Sequence, residues 1–253
     1  MATGVTRRLG RLRRNGYYCI AALDHGLSLG ETQGIATLSQ LSSRSVALHA
    51  AGFPAVVLNA GVLRHTSLPP ELSVVAQLVG MPMHSVNALD RVPLAMPAMA
   101  VSAGADAVSI QLKADAMYGT GIIERLTLLS HEAHALGLPV LLMLTGDKWE
   151  SARQFMGAVR SLSEIGVDLI KAAPGSYLDE LPKGALVGLS VPLLYPGGEL
   201  SVDYRERVVR AATAGYAGVC IGRNLFQSTV PFRDQIAMLD SIFGRKHALT
   251  VRS

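Results

Sequence analysis

Cysteine is almost absent from this chain. Its 253 residues include only Cys19 and Cys220, each inside an apolar run, Tyr18-Cys19-Ile20-Ala21 and Gly218-Val219-Cys220-Ile221. Two isolated thiols in such runs read as buried strand residues and speak against a disulfide framework or a metal site. Aromatic residues supply only 5% of the chain, so its core has to come mainly from Ala, Val, Leu and Ile. Charged residues are few as well, 17% against 49% hydrophobic, which leaves ample material for a core. No run of eighteen apolar residues appears and no signal-peptide core follows the N-terminus, so a soluble cytoplasmic protein without a membrane partner is expected. Lysine is the scarcest cation, with five against eighteen arginines.

The formal charge of +4 is unevenly placed. Arg7, Arg8, Arg11, Arg13 and Arg14 all precede the first apolar run, and without them the chain is slightly acidic. An arm for nucleic acid or an organelle-targeting segment is one reading of that cluster. No basic stripe continues downstream, which favours a solvated helix closing one end of the fold and no nucleic-acid partner.

Short β-rich runs alternate with helical patterns along the whole length, with no linker dividing them. Strands are expected near 18–23, 55–58, 74–78, 107–112, 140–144, 169–172, 193–195 and 218–221. Helices are expected over 35–49, 90–103, 122–135, 151–165, 203–214 and 232–243. Gly104, Gly166 and Gly215 each stop a helix two or three residues before a strand. Strand centres recur about every 28 residues, near the βα repeat of a barrel, and such barrels run to about 250 residues. The expected fold is α/β, a single (β/α)8 TIM barrel over residues 1–253, with the basic segment 1–16 capping it.

In that architecture function sits at the C-terminal ends of the strands. The sixth strand ends on Lys171, in Val167-Asp168-Leu169-Ile170-Lys171-Ala172. An ammonium closing an apolar strand is costly, because desolvation disfavours the charged amine. That is also the condition a Schiff-base nucleophile needs. The first strand opens on Asp24-His25-Gly26. An acid there can hold the ammonium, relay protons or bind a substrate hydroxyl. His25 reads equally as a packed imidazole or as a participant. Lys113 ends the fourth strand and Lys148 follows the fifth. Either can lower a neighbouring amine's proton affinity or bind an anion, although Lys148 also reads as a solvated helix start. Gly197-Gly198 after the seventh strand and Gly222-Arg223 after the eighth fit a phosphate cradle of backbone amides, helix terminus and guanidinium.

Leu23-Asp24-His25-Gly26, Ile170-Lys171, Gly197-Gly198 and Ile221-Gly222-Arg223-Asn224-Leu225-Phe226-Gln227 together resemble one branch of the class I aldolases. It contains archaeal-type fructose-bisphosphate aldolases, 2-amino-3,7-dideoxy-D-threo-hept-6-ulosonate synthases and the autoinducer-2 thiolase. The likeness runs from about Arg8 to Phe243. It implies a Schiff-base aldolase that uses no metal or cofactor, with Lys171 forming the imine, Asp24 assisting proton transfer and the two glycine motifs holding a phosphate. It also implies a homo-oligomer, often a decamer of two stacked pentamers.

One element departs from that pattern. After the fifth strand the branch carries Tyr-Pro-Arg-Gly, whose tyrosine acts as acid and base at the reacting carbons. Here the stretch reads Thr145-Gly146-Asp147-Lys148. Thr145 cannot act as a phenol does, although it can hold a water. Tyr118, Tyr195, Asp147 and His84 are the candidate substitutes. The leading expectation is an aldolase acting on a phosphorylated ketose- or triose-type substrate in a specialised biosynthetic pathway. Schiff-base acyl transfer on a phosphorylated diketone and a catalytically altered phosphosugar-binding barrel are the alternatives.

Overall fold

The computed structural model describes residues 3–83, 91–114, 120–146 and 149–244. Eight parallel strands form the barrel: β1 Tyr17–Ala22, β2 Ala55–Asn59, β3 Ser73–Gly80, β4 Ala107–Lys113, β5 Val140–Thr145, β6 Leu169–Lys171, β7 Leu193–Leu194 and β8 Gly218–Ile221. Each pairs with the next from β1 to β7, and β8 returns to β1 with Gly218 opposite Tyr18 and Ile221 opposite Ala21. The ring closes between β7 and β8 through the Tyr195–Val219 bridge, where Tyr195 N–H donates to Gly218 O and Cys220 N–H to Tyr195 O, each at 3.0 Å. Closure satisfies the edge groups that an open sheet leaves unpaired.

Strand alternation sorts the core into two layers. Ile20, Ala22, Val57, Val75, Leu141, Met143, Leu169, Leu194 and Cys220 cluster inside the barrel. Their neighbours Cys19, Ala21, Val56, Leu142, Ile170, Leu193 and Val219 pack outward beneath the helices. Both cysteines are free and buried.

The helices are α1 Gly4–Arg11, α2 Leu38–Ala51, α3 Pro97–Ser102, α4 Thr120–Ala135, α5 Ala152–Leu162, α6 Tyr204–Ala214 and α7 Phe232–Phe243, with short turns at Gly26–Leu29 and Arg223–Phe226. In α5, Ser151 caps the first turn by accepting from Gln154 N–H at 3.1 Å. Phe155, Ala158, Val159 and Leu162 then bury one face at helical spacing. Each large side chain so buried contributes about 1.5–3 kcal/mol. A 3-10 turn, Ala60–His65, joins β2 to β3, and another, Gly175–Glu180, follows β6.

Two local expectations are corrected. The helix expected over 90–103 is confined to Pro97–Ser102, because Val92–Pro93 pairs antiparallel with Val79–Gly80. Pro97 then starts the helix at a position that needs no amide hydrogen. The basic segment also holds a hairpin that was not expected. Arg13–Arg14 pairs with Tyr17–Tyr18 across Asn15-Gly16, both at positive φ, the turn favoured by Asn-Gly. Leu12, between α1 and that hairpin, is fully buried against the barrel-interior cluster.

Candidate active site

Along the strands the inward positions change from apolar to polar. Ile20 and Ala22 lead to Asp24, Val57 to Asn59, Val75 to Gln77, Leu141 and Met143 to Thr145, and Leu169 to Lys171. The apolar end fills the barrel, while the polar end opens into a cavity of about 610 Å3, within the size range of small-molecule sites. Asp24, His25, Gln111, Thr145, Lys171, Gly198, Gly222 and Arg223 all line it. Gly197 and Lys113 are not among the lining residues. Lys113 ends β4 opposite Thr145, with its stem beside Gly146.

Lys171 shares its inward parity with Leu169, and its Nζ lies 4.0 Å from Met143 Sδ. The chain beyond it is pinned by two outer-layer rings. Tyr216 hydroxyl donates to Ala172 O at 3.0 Å, and Trp149 Nε1 donates to Ala173 O at 2.9 Å. Cys220 lies beneath the amine. Burial pushes its thiol up to about 11, against the pull of Lys171. Asp24 is only 7% exposed. One carboxylate oxygen accepts from Gln111 Nε2 at 3.4 Å, while its backbone carbonyl accepts from Asn59 Nδ2 at 2.9 Å. Both Asp24 and Lys171 act electrostatically on His25 and Cys220, so the two charges share one neighbourhood.

His25 packs edge-on against Phe226, ring centroids 5.2 Å apart, and its Nδ1 lies 3.8 Å from Asp24. Burial lowers its pKa below the ordinary imidazole value; Asp24 opposes that shift, and Lys171 and Arg223 add to it. The imidazole is therefore neutral at neutral pH.

Gly197 and Gly198 both adopt positive φ, +77° and +72°. Asn224 ties this loop to the end of β8. Its Nδ2 donates to Gly197 O at 3.1 Å and Glu199 O at 2.7 Å, and its Oδ1 accepts from Ser201 N–H at 3.1 Å. At Gly222 a Cβ would lie 2.3 Å from the His25 ring and 2.8 Å from Ala22 O, so only glycine allows this approach. Arg223 is held by Glu199 at 3.0 Å.

At the end of β5, Thr145 Oγ1 accepts from Arg91 Nη2 at 2.8 Å and donates to Leu112 O at 3.3 Å. Burial lowers the pKa of that guanidinium. Tyr195, a candidate substitute for the missing phenol, lines the same cavity from the end of β7 and also packs into the outer core layer. Its ring packs edge-on against Tyr216, and burial raises the pKa of its hydroxyl while the charge of Arg207 opposes that shift. Its inward-facing neighbour is Leu194. Tyr118, His84, Asp147 and Lys148 lie outside the described residues.

Sequence reasoning missed Arg91, Gln111 and Arg207, which line the same cavity. Gln111 was within reach, as a polar residue at inward parity in an apolar strand. The other two come from a loop and a helix, where no strand pattern marks them. Among the described lining residues, Lys171, Arg91, Arg207 and Arg223 face only two carboxylates, Asp24 and Glu199. The excess positive charge suits an anionic substrate.

Comparison with known proteins gives a consistent picture. The model of the DeoC/LacD family aldolases matches residues 18–228. The 2-amino-3,7-dideoxy-D-threo-hept-6-ulosonate synthase 1 of Archaeoglobus fulgidus is 26% identical over 250 residues, covering 96% of this chain and 93% of that protein. The 3-hydroxy-5-phosphonooxypentane-2,4-dione thiolase of Escherichia coli is 26% identical over 254 residues, covering 96% and 82%. An archaeal fructose-1,6-bisphosphate aldolase, solved with its catalytic Lys bound to the carbinolamine intermediate, superposes with a TM-score of 0.78 at 22% identity, covering 93% of this chain and 99% of that one. With the family model spanning most of a closed eight-stranded barrel, the chain belongs to the DeoC/LacD aldolase family.

Proposed function

We propose that the protein is a class I aldolase that makes or breaks a carbon–carbon bond of a phosphorylated ketose- or triose-type substrate through an imine on Lys171. The observation that carries this reading is one cavity lined by Lys171, Asp24 and the Gly198–Gly222–Arg223 cradle. The amine attacks the ketone carbon, and the carbinolamine loses water as Asp24 supplies the proton. The resulting iminium is the electron sink for aldol cleavage. After loss of an α-proton it becomes an enamine that attacks an aldehyde. Hydrolysis then frees the product and restores the amine. The cradle fixes the substrate phosphate, so that the carbonyl meets Lys171 without a further search for orientation. His25, neutral, packs behind Asp24, and Thr145 with Arg91 forms the opposite wall, where the second substrate binds. Gly197 shapes the cradle loop, and Lys113 supports the β4 end of the site.

The same reading takes residues 1–253 as one barrel domain, with residues 1–16 plugging its N-terminal mouth; the burial of Leu12 supports this. It also takes the enzyme as a cytoplasmic homo-oligomer. Met96 at the start of α3, Met99 on α3 and Leu128 on the neighbouring α4 are 45%, 53% and 58% exposed and offer an apolar face for assembly.

Borohydride trapping with dihydroxyacetone phosphate, followed by mass spectrometry, tests the imine. The adduct is expected on Lys171, and Lys171→Met is expected to fold while losing both trapping and turnover. Retained turnover in that variant would sink the assignment. The thiolase relative supports a second reading, in which the same imine activates a phosphorylated diketone for acyl transfer to a thiol. Product analysis separates the two: aldol products appear without a thiol, and acyl products only with one. If the wild type traps no phosphorylated ketone, both enzymatic readings fall and the phosphosugar-binding barrel stands.

A further inference from the structure

The phosphate cradle has a second guanidinium. Arg207 sits in the first turns of α6 and lines the cavity together with Gly198, Gly222 and Arg223. Its Nη2 lies 3.9 Å from the Cβ position of Gly198, within van der Waals reach of the loop between β7 and α6. Tyr195, 1% exposed, lines the same cavity, and its ring rests edge-on against Tyr216 at 5.6 Å. Tyr216 in turn donates to the carbonyl of Ala172, the residue after Lys171. A run of buried contacts thus joins Tyr195, which lines the cavity with Arg207, to the strand end that carries the amine.

A phosphate monoester carries between one and two negative charges at neutral pH and offers three strong acceptor oxygens. Arg223 meets one part of that charge, and Glu199 already takes a share of Arg223. We propose that Arg207 is a substrate-binding residue that, with Arg223, grips the phosphate as a pair and sets the preference for a phosphorylated over a neutral ketone. This deepens the reading given under Proposed function and rests on it for the identity of the ligand. Fixed guanidiniums bind phosphate oxygens through charge-assisted hydrogen bonds, with the planar fork adding direction that a lysine lacks.

The test uses the full chain with Arg207→Gln, Arg207→Lys and, as a charge-matched control on the same helix, the exposed Arg205→Gln. Borohydride trapping gives half-saturation concentrations for dihydroxyacetone phosphate and for dihydroxyacetone, and calorimetry gives the affinity for inorganic phosphate. Loss of Arg207 is expected to raise the phosphorylated ketone's half-saturation by roughly tenfold to a hundredfold. The rise for the neutral ketone should be far smaller, so discrimination between the two collapses. Arg207→Lys is expected to recover part of the loss and Arg205→Gln to resemble the wild type. Equal rises for both ketones, or equal losses in the Arg205 and Arg207 variants, overturn the proposal. So does phosphate affinity unchanged by Arg207→Gln. Phosphate binding is read without imine chemistry. If it weakens while the wild type traps no ketone, the proposed function fails and the cradle stands.

Discussion

Gly222→Ala tests how tightly the cradle is coupled to the acid end of the site. The added methyl would sit 2.3 Å from His25 Cε1, 2.9 Å from its Nε2 and 2.8 Å from the carbonyl of Ala22, where ordinary contact begins at 3.4 Å. The imidazole must therefore retreat by about 1 Å, and Phe226 stands against its ring. The carbonyl belongs to β1, paired with β8 through Ala21 and Ile221, and yields only if the two strand ends part. Overpacking of this kind costs about 1–3 kcal/mol. For a chain of this size that lowers the melting temperature by about 2–12 °C. His25 adjoins Asp24, so the displacement reaches the proposed acid, and turnover should fall at least about tenfold, as misplacement by 1 Å elsewhere can cost about a hundredfold. Calorimetric melting and steady-state turnover check both effects. Gly26→Ala, with nothing within 4 Å of its Cβ position, is the control and should melt near the wild type. A Gly222→Ala protein that melts within a degree of the wild type and turns over normally would refute the packing argument.

Two predictions concern pH and the N-terminal segment. Asp240 on α7 accepts from Arg14 at 2.8 Å, Tyr17 at 2.9 Å and Asn15 at 3.0 Å, and these bonds outweigh burial to hold its pKa below the ordinary 3.8. Asp240→Asn should cost about 1.5–3 kcal/mol at neutral pH in urea unfolding. The contribution is present above the ordinary value and lost as pH falls through the lowered one, so the gap from wild type should close in acid; a gap that persists there contradicts the ion-pair account. For His25 the folded pKa lies below 6.5, chiefly through burial. Between that lowered value and 6.5 the unfolded chain binds a proton that the folded chain does not, so stability falls as pH drops through this window. His25→Gln should flatten the wild-type decline in urea midpoint between about pH 7 and pH 5, and identical slopes would remove His25 as its source.

Much of the fold was legible because its signals are local. Gly104, Gly166 and Gly215 mark where helices stop, and Gly52 and Gly215 are left-handed caps in the structure. Helix α7 begins and ends at the expected residues, Phe232 and Phe243. The expected helix over 90–103 was too long because apolar spacing continues through Val92–Pro93, whereas pairing with β3 is a long-range contact that spacing does not encode. The Asn15-Gly16 turn was also a local signal, overlooked among the arginines.

The sequence by itself determined the strand alternation, the family resemblance and the parity of the central amine. Leu169 and Lys171 are two residues apart, so once Leu169 faces the barrel interior, so does Lys171. Barrel closure decided what joins that amine. Residues at or just beyond the ends of β1, β4, β5, β6, β7 and β8 meet in one cavity only because β8 returns to β1. Arg91 and Arg207 reach the same cavity from a loop and a helix, and Tyr195 borders it while also packing into the outer layer. These placements depend on how whole elements pack, and a solvated arginine and a cavity-lining one leave the same mark on a helix sequence. The missing strand-five phenol was visible in the sequence; the guanidinium of Arg91 on Thr145 in its place became visible only in the folded chain.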